Sequence, residues 1–187
     1  LVLNSIAALL VVISLTFEIP KELREGVAST LLAKPLGRFQ YLLGKMIGCM
    51  VTGAVICALI AVGSFIVFNV AFGQRVDVAM FQSHLLVILA LIPMSALGVL
   101  FAVILPEVIA PIITVVVVWF AFSTKCLANI WGVYGGLLPD LDLFNFKANA
   151  VYQVNIPWMY VLLVAVWGIC YAAFALSLAS IVFERKD

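Results

Sequence analysis

Long apolar stretches alternate with short polar ones along the chain, and each boundary predicts an element. Leu1–Phe17 is apolar except for Asn4 and Ser5, and reads as the end of a membrane span whose beginning is missing. Glu18–Lys45 is the longest charged stretch, with three Glu, three Lys and two Arg. Met46–Ala71 follows with no charge over 26 residues, more than the roughly 20 that a helix needs to cross a bilayer. Residues 72–84 form a short polar link with Arg75 and Asp77, and Leu85–Leu105 predicts a second full span, kinked at Pro93. Pro106-Glu107 makes a tight turn into Val108–Ser123, a Val-rich span. Residues 124–156 are an aromatic outer link containing Gly, Pro and Asn, and 157–183 is the last span.

The expectation is therefore an all-α polytopic membrane protein, a single transmembrane domain. Five segments are present, the first incomplete, and one more preceding span would make six helices with both ends on one side. Lys and Arg distribution sets the orientation. Lys21, Arg24, Lys34, Arg38, Lys45, Arg185 and Lys186 fall on one side, against Arg75, Lys125 and Lys147 on the other. That places the 18–45 loop and the C-terminus in the cytoplasm, with the protein multi-pass in the plasma (inner) membrane.

Composition sharpens this picture. Apolar residues make up 66% of the 187 and charged residues 10%, where soluble domains run at about 45–50% and 25%. The formal net charge of +1 gives no reason to expect a nucleic-acid partner. Cys49 and Cys57 stand two helical turns apart, about 12 Å and too far for a disulfide. With Cys170 and Cys126 they read as small hydrophobes in or beside apolar runs. No basic segment precedes the first apolar run, so it does not read as a signal peptide.

Several chemistries are excluded. A single histidine, His84, rules out an H-E-x-x-H zinc site, and its place beside the third span reads as interfacial. Asp77, Asp140 and Asp142 all fall in links, leaving no intramembrane carboxylate pair. Ser64, Ser95, Ser177 and Ser180 have no His or Lys at membrane depth to activate them. The apolar cores hold no ionisable residue to couple protons or sodium, and Glu107 reads as a turn residue. The string from Gly37 to Gly44-Lys45-Met46 has six residues between its glycines and lacks the hydroxyl of a phosphate-binding loop. No cofactor is expected, and energy for any transport must come from another subunit.

The charged loop is the informative stretch. Pro20 suits a first helical turn, with Glu22 at its positive end. Gly26 interrupts, and Val27–Lys34 predicts a two-turn helix stopped by Pro35. The i,i+4 pairs Val27/Leu31 and Ala28/Leu32 give it one apolar stripe. Such a helix could seat in a groove on a cytoplasmic partner. It could equally lie on membrane lipid, anchored by Lys34 and Arg38.

The order Glu25-Gly26, Leu31-Leu32-Ala33-Lys34-Pro35, Arg38 and Leu43-Gly44-Lys45 resembles the signature of ABC-2-type permeases, the membrane subunits of export-class ABC transporters. The Pro-centred outer string Leu138–Asn145 and the ending Phe183-Glu-Arg-Lys-Asp187 resemble the branch associated with multicopper-enzyme maturation. Val27 departs from the family pattern, which has Thr there, and the first of the family's six spans is absent. The resemblance implies an ABC-2-type transmembrane helical bundle. Val27–Lys34, Thr30 included, would be its coupling helix, docking on an ABC ATPase subunit that binds the ATP. Glu22 and Glu25 would pair with basic residues of that partner or with Arg38, each exposed pair contributing about 0–1 kcal/mol. Lys34, Pro35 and Arg38 would fix the turn.

Gly44, Gly48 and Thr52 share one helix face, suited to close packing within the bundle or against a second permease copy, in a homo- or heterodimer. In the resembled family the outer link forms re-entrant helices that plug the exit. Trp131, Tyr134, Pro139 and Phe144 are the candidates for that gate, an interfacial aromatic belt being the plainer reading. Pro93 and Gly98 would let their helix bend. The function expected is the permease subunit of an ATP-driven exporter, not itself an enzyme. The alternative is a non-transporting membrane anchor or assembly factor that recruits a cytoplasmic protein through the 18–45 loop.

Overall fold

The structure, a computed structural model, describes residues 1–25, 37–73, 77–123 and 139–184. Among them every regular element is helical: α1 (Val2–Arg24), α2 (Arg38–Phe72), α3 (Val78–Ile104), α4 (Ile109–Ala121), a 3-10 turn (Leu141–Phe144), α5 (Lys147–Tyr152) and α6 (Trp158–Glu184). Four of these, α1, α2, α3 and α6, are long and apolar enough to cross a bilayer. The chain is an all-α, multi-pass membrane protein. Helices suit that solvent because they satisfy their own backbone hydrogen bonds.

The helices overrun the limits set by hydropathy. Residues 18–24 continue α1 and 38–45 already belong to α2, so the stretch expected as one loop from 18 to 45 shrinks to the connection between Arg24 and Arg38. Pro20 lies inside α1, not at a new helix start. It can do so near the end of a long helix, where it removes one hydrogen bond without stopping the chain. Likewise α3 starts at Val78, whose amide donates to the Asp77 carboxylate at 2.8 Å, while α2 stops at Gly73 in the left-handed conformation, φ 60°. The link expected over 72–84 is therefore much shorter, and Gln82, Ser83 and His84 belong to the helix. The α4 helix has 13 residues, about 20 Å at 1.5 Å per residue, less than a bilayer core of about 30 Å.

At the centre stands α3, with 17 of its 27 residues buried; α1, α2, α4 and α6 all pack against it. Small residues set the approach. A Cβ on Gly98 would lie 2.9 Å from Val12 Cγ1, so α1 and α3 touch through the missing side chain. Gly98 thus acts as a contact surface in α3. Pro93 and Phe144 meet at Gly168 of α6. Outward, α2 presents Ile47, Val51, Val55, Leu59, Val62 and Ile66, exposed at three- and four-residue intervals, the stripe expected of a helix facing lipid.

Candidate functional site

Polar side chains gather at the two ends of the bundle, in chemically different sets. At the end where α1 finishes and α2 begins, the contacts are ionic. Lys45 of α2 pairs with Glu22 of α1 and lies 3.5 Å from Glu18. The Tyr41 hydroxyl donates to Glu22 at 2.7 Å. Arg24 meets Glu107, in the α3–α4 turn, at 2.7 Å. Arg38 donates to the carbonyl of Phe183 in α6 at 3.2 Å and stands 5.6 Å from the centre of that ring. The ends of α1, α2 and α6 and the α3–α4 turn are thus tied together. The Glu22–Lys45 pair is only partly exposed, so it is screened less than a surface pair.

The opposite end is held by neutral groups. His84, 2% exposed, joins three helices. Asn4 Nδ2 of α1 donates to its Nδ1 at 3.0 Å, which leaves Nε2 as the protonated nitrogen facing Ser64 Oγ of α2 at 3.3 Å. Ser64 Oγ sits 2.9 Å from the carbonyls of Ile60 and Ala61, which take its own proton. Phe65 meets the imidazole edge-to-face at 5.2 Å. Asn4 Oδ1 is buried without a hydrogen-bond partner.

Two residues earlier, the Gln82 amide pairs with both backbone groups of Ile156. Nε2 donates to the Ile156 carbonyl at 2.8 Å and the Ile156 N–H donates to Oε1 at 2.9 Å. Ser83 Oγ lies 3.0 Å from the Phe146 carbonyl, and Tyr160 donates to that of Leu143 at 3.0 Å. These bonds seat the described part of the outer link on the bundle. Phe144, 1% exposed, is buried beneath it, its ring 6.3 Å from that of Trp167.

No family model, no curated protein and no solved structure matches this chain.

The sequence-derived candidates divide by location. Gly26, Val27, Thr30, Leu31, Leu32, Lys34 and Pro35 lie outside the described residues, as do Trp131 and Tyr134. Of the loop set, Glu22 and Arg38 are engaged inside the chain, with Lys45 and Tyr41 and with Phe183 respectively, while Glu25 is exposed at the end of α1. Pro139 and Phe144 are both buried. Gly44, Gly48 and Thr52 share an exposed face, with no atom of another helix within 4 Å of a Cβ on either glycine. They line a groove of about 540 Å³ between α1 and α2. Inside the chain the close approaches belong to Gly53 and Gly98 instead. Cys49 and Cys57 are buried as expected of small hydrophobes, whereas Cys170 is exposed.

Sequence reasoning missed the histidine node. Its polar residues 82–84 read as a link because their partners, Asn4, Ser64, Phe146 and Ile156, are remote in sequence. The usable signal was Asp77 immediately before an unbroken run, which is a helix cap.

Proposed function

We propose that the chain is the membrane-spanning permease subunit of an ABC-type exporter, driven by a separate ATPase subunit and working beside a second permease copy. The observation that carries this is the signature from Glu25-Gly26 through Lys34-Pro35 and Arg38 to Gly44-Lys45, with its spacing. Its setting supports the reading. The segment leaves from the end of α1 and returns at the start of α2, and those ends are braced to each other by Glu22–Lys45 and to the rest of the bundle by Arg24–Glu107 and Arg38–Phe183. A push delivered to that segment by a nucleotide-driven partner would pass into several helices together.

In this reading the chain supplies five of six spans, α4 beginning the fourth of them here, and the 139–156 region caps the outer exit. The ionic end is cytoplasmic. Among the described residues it holds Lys21, Arg24, Arg38 and Lys45, against Lys147 at the other end, as the positive-inside rule requires. Coupling would run through the 27–34 helix, with Leu31 and Leu32 as its apolar contacts.

The test is purification of the full-length protein in mild detergent, identification of stoichiometric partners, and substitution of Leu31 and Leu32 by Asp. An ATPase that co-purifies and whose turnover falls in the variants supports the permease reading. Purification with a partner that hydrolyses no ATP overturns it in favour of a membrane anchor.

A further inference from the structure

We propose that the His84 node is a proton-binding site, and that a half turn of the Asn4 carboxamide converts it from a neutral to a charged form without parting α1 from α3. Place is the first argument. His84 stands six residues inside α3, about 9 Å along the helix from Val78. It is the one histidine of the chain and is buried among three helices. An ionisable ring is costly at such a position and marks a functional site by default. Its edge-to-face contact with Phe65 would be served by any aromatic ring.

The hydrogen bonds are the second argument. In the neutral ring Nδ1 accepts from Asn4 Nδ2 and Nε2–H faces Ser64 Oγ. Ser64 gives its own proton to the Ile60 and Ala61 carbonyls, so its oxygen can accept from Nε2–H in either form of the ring. A proton arriving at Nδ1 turns that nitrogen into a second donor, which the Asn4 amide nitrogen cannot accept. The acceptor then needed is on the same side chain: Asn4 Oδ1, fully buried and without a partner. Half a turn about Cβ–Cγ exchanges Nδ2 for Oδ1, breaks no hydrogen bond but the one to Nδ1, and moves no helix. Nδ2 replaces Oδ1 as the unpartnered group. Both ring N–H groups then end on oxygen, and a bond from a charged donor is about twice as strong as a neutral one.

Among the described residues no carboxylate bonds the ring. From α1 the amino group of Leu1 bears on it, and α5 brings Lys147 to the same end, both cationic. The 3-10 turn carries Asp142, which accepts from Asn145, and is preceded by Asp140, which accepts from the Asp142 amide. On α3 itself the nearest acid is the cap Asp77, seven residues before His84, about 10 Å along the axis and bonded to the Val78 amide. The described parts of α2, α4 and α6 bring no charged side chain to that end. The proton is therefore held by two neutral oxygens, Asn4 Oδ1 and Ser64 Oγ, and removal of either weakens the hold.

The proposal is independent of the transport reading. The full chain, labelled with nitrogen-15 in histidine and asparagine, is placed in lipid bilayers and titrated downward from neutral pH under solid-state NMR. With one histidine in the chain, the ring signals need no further assignment. At neutral pH the spectrum should show one protonated and one bare ring nitrogen, with a coupling across the hydrogen bond from Asn4 Nδ2 to Nδ1. On acidification both ring nitrogens should become protonated and the coupling should vanish at the same midpoint, with the chain still folded. Loss of that coupling separates a turned amide from a mere change in polarity around the ring. Asn4→Leu should lower the proton affinity of the ring about tenfold, the margin between a bond to a charged group and one to a neutral group, and Ser64→Ala should lower it as well. A ring that stays neutral until the chain unfolds, a coupling that survives protonation, or an Asn4→Leu midpoint no lower than the native one overturns the proposal.

Discussion

Replacing His84 with Phe tests the neutral node directly. The phenyl ring keeps the edge-to-face contact with Phe65 but removes the acceptor for Asn4 Nδ2. Asn4 is 0% exposed and its Oδ1 is already without a partner, so the variant strands a whole amide in the bundle. Each stranded group costs about 1–3 kcal/mol, whereas the bonds themselves contribute less, about 0.6 kcal/mol on average between membrane helices. The single change should therefore destabilise by about 1–3 kcal/mol. Asn4→Leu alone should also destabilise, by about 1 kcal/mol, because it leaves Nδ1 of the imidazole without a donor. Combining the two removes both orphans, and the double variant should return to within about 1 kcal/mol of the native chain. Ser64 is unaffected, since its proton stays with the Ile60 and Ala61 carbonyls. Reversible unfolding in mixed detergent micelles, titrated with sodium dodecyl sulfate, reads all four corners of this cycle. A double variant as unstable as the sum of the singles would refute the argument, and would mean that shape governs that end of the bundle.

Two further outcomes follow from the packing. Gly98→Ala drives a methyl to 2.9 Å from Val12 Cγ1 and should lower stability by about 1–3 kcal/mol less the modest helix gain of Ala. Gly63→Ala, which meets nothing within 4 Å, should not lower it; equal losses in the same micelle assay would rule out the α1–α3 contact as the cause. Gln82→Leu strips both partners from the Ile156 backbone, and hydrogen exchange of that amide should speed up roughly tenfold or more, corresponding to about 1.4 kcal/mol of lost protection. An unchanged rate would mean that Gln82 does not seat the outer link.

The apolar runs announced the four long helices, but the run expected to span at Val108–Ser123 gives a helix of only 13 residues. What hydropathy could not mark is where a helix stops. A run such as Leu1–Phe17 ends where lipid ends, but the backbone bonds of 18–24 and 38–45 form as readily in charged sequence, so both helices go on. Residues 82–84 hid for the opposite reason. They are polar inside the bundle, and their satisfaction depends on contacts 20 to 80 residues away. Gly44 and Gly48 looked like packing residues because spacing alone does not distinguish a helix–helix contact from an open floor. That distinction belongs to the placement of α1.

The overrun of α1 and α2 also sets a height. From Glu18 to Arg24 and from Arg38 to Lys45 each helix rises about 10 Å, beyond the level where the uncharged sequence ends. Cross-bracing by Lys45 to Glu22 and Glu18 turns the two into a stiff pedestal. The described ends of the two helices, Arg24 and Arg38, therefore stand about one and a half helical turns or more beyond the uncharged runs they continue.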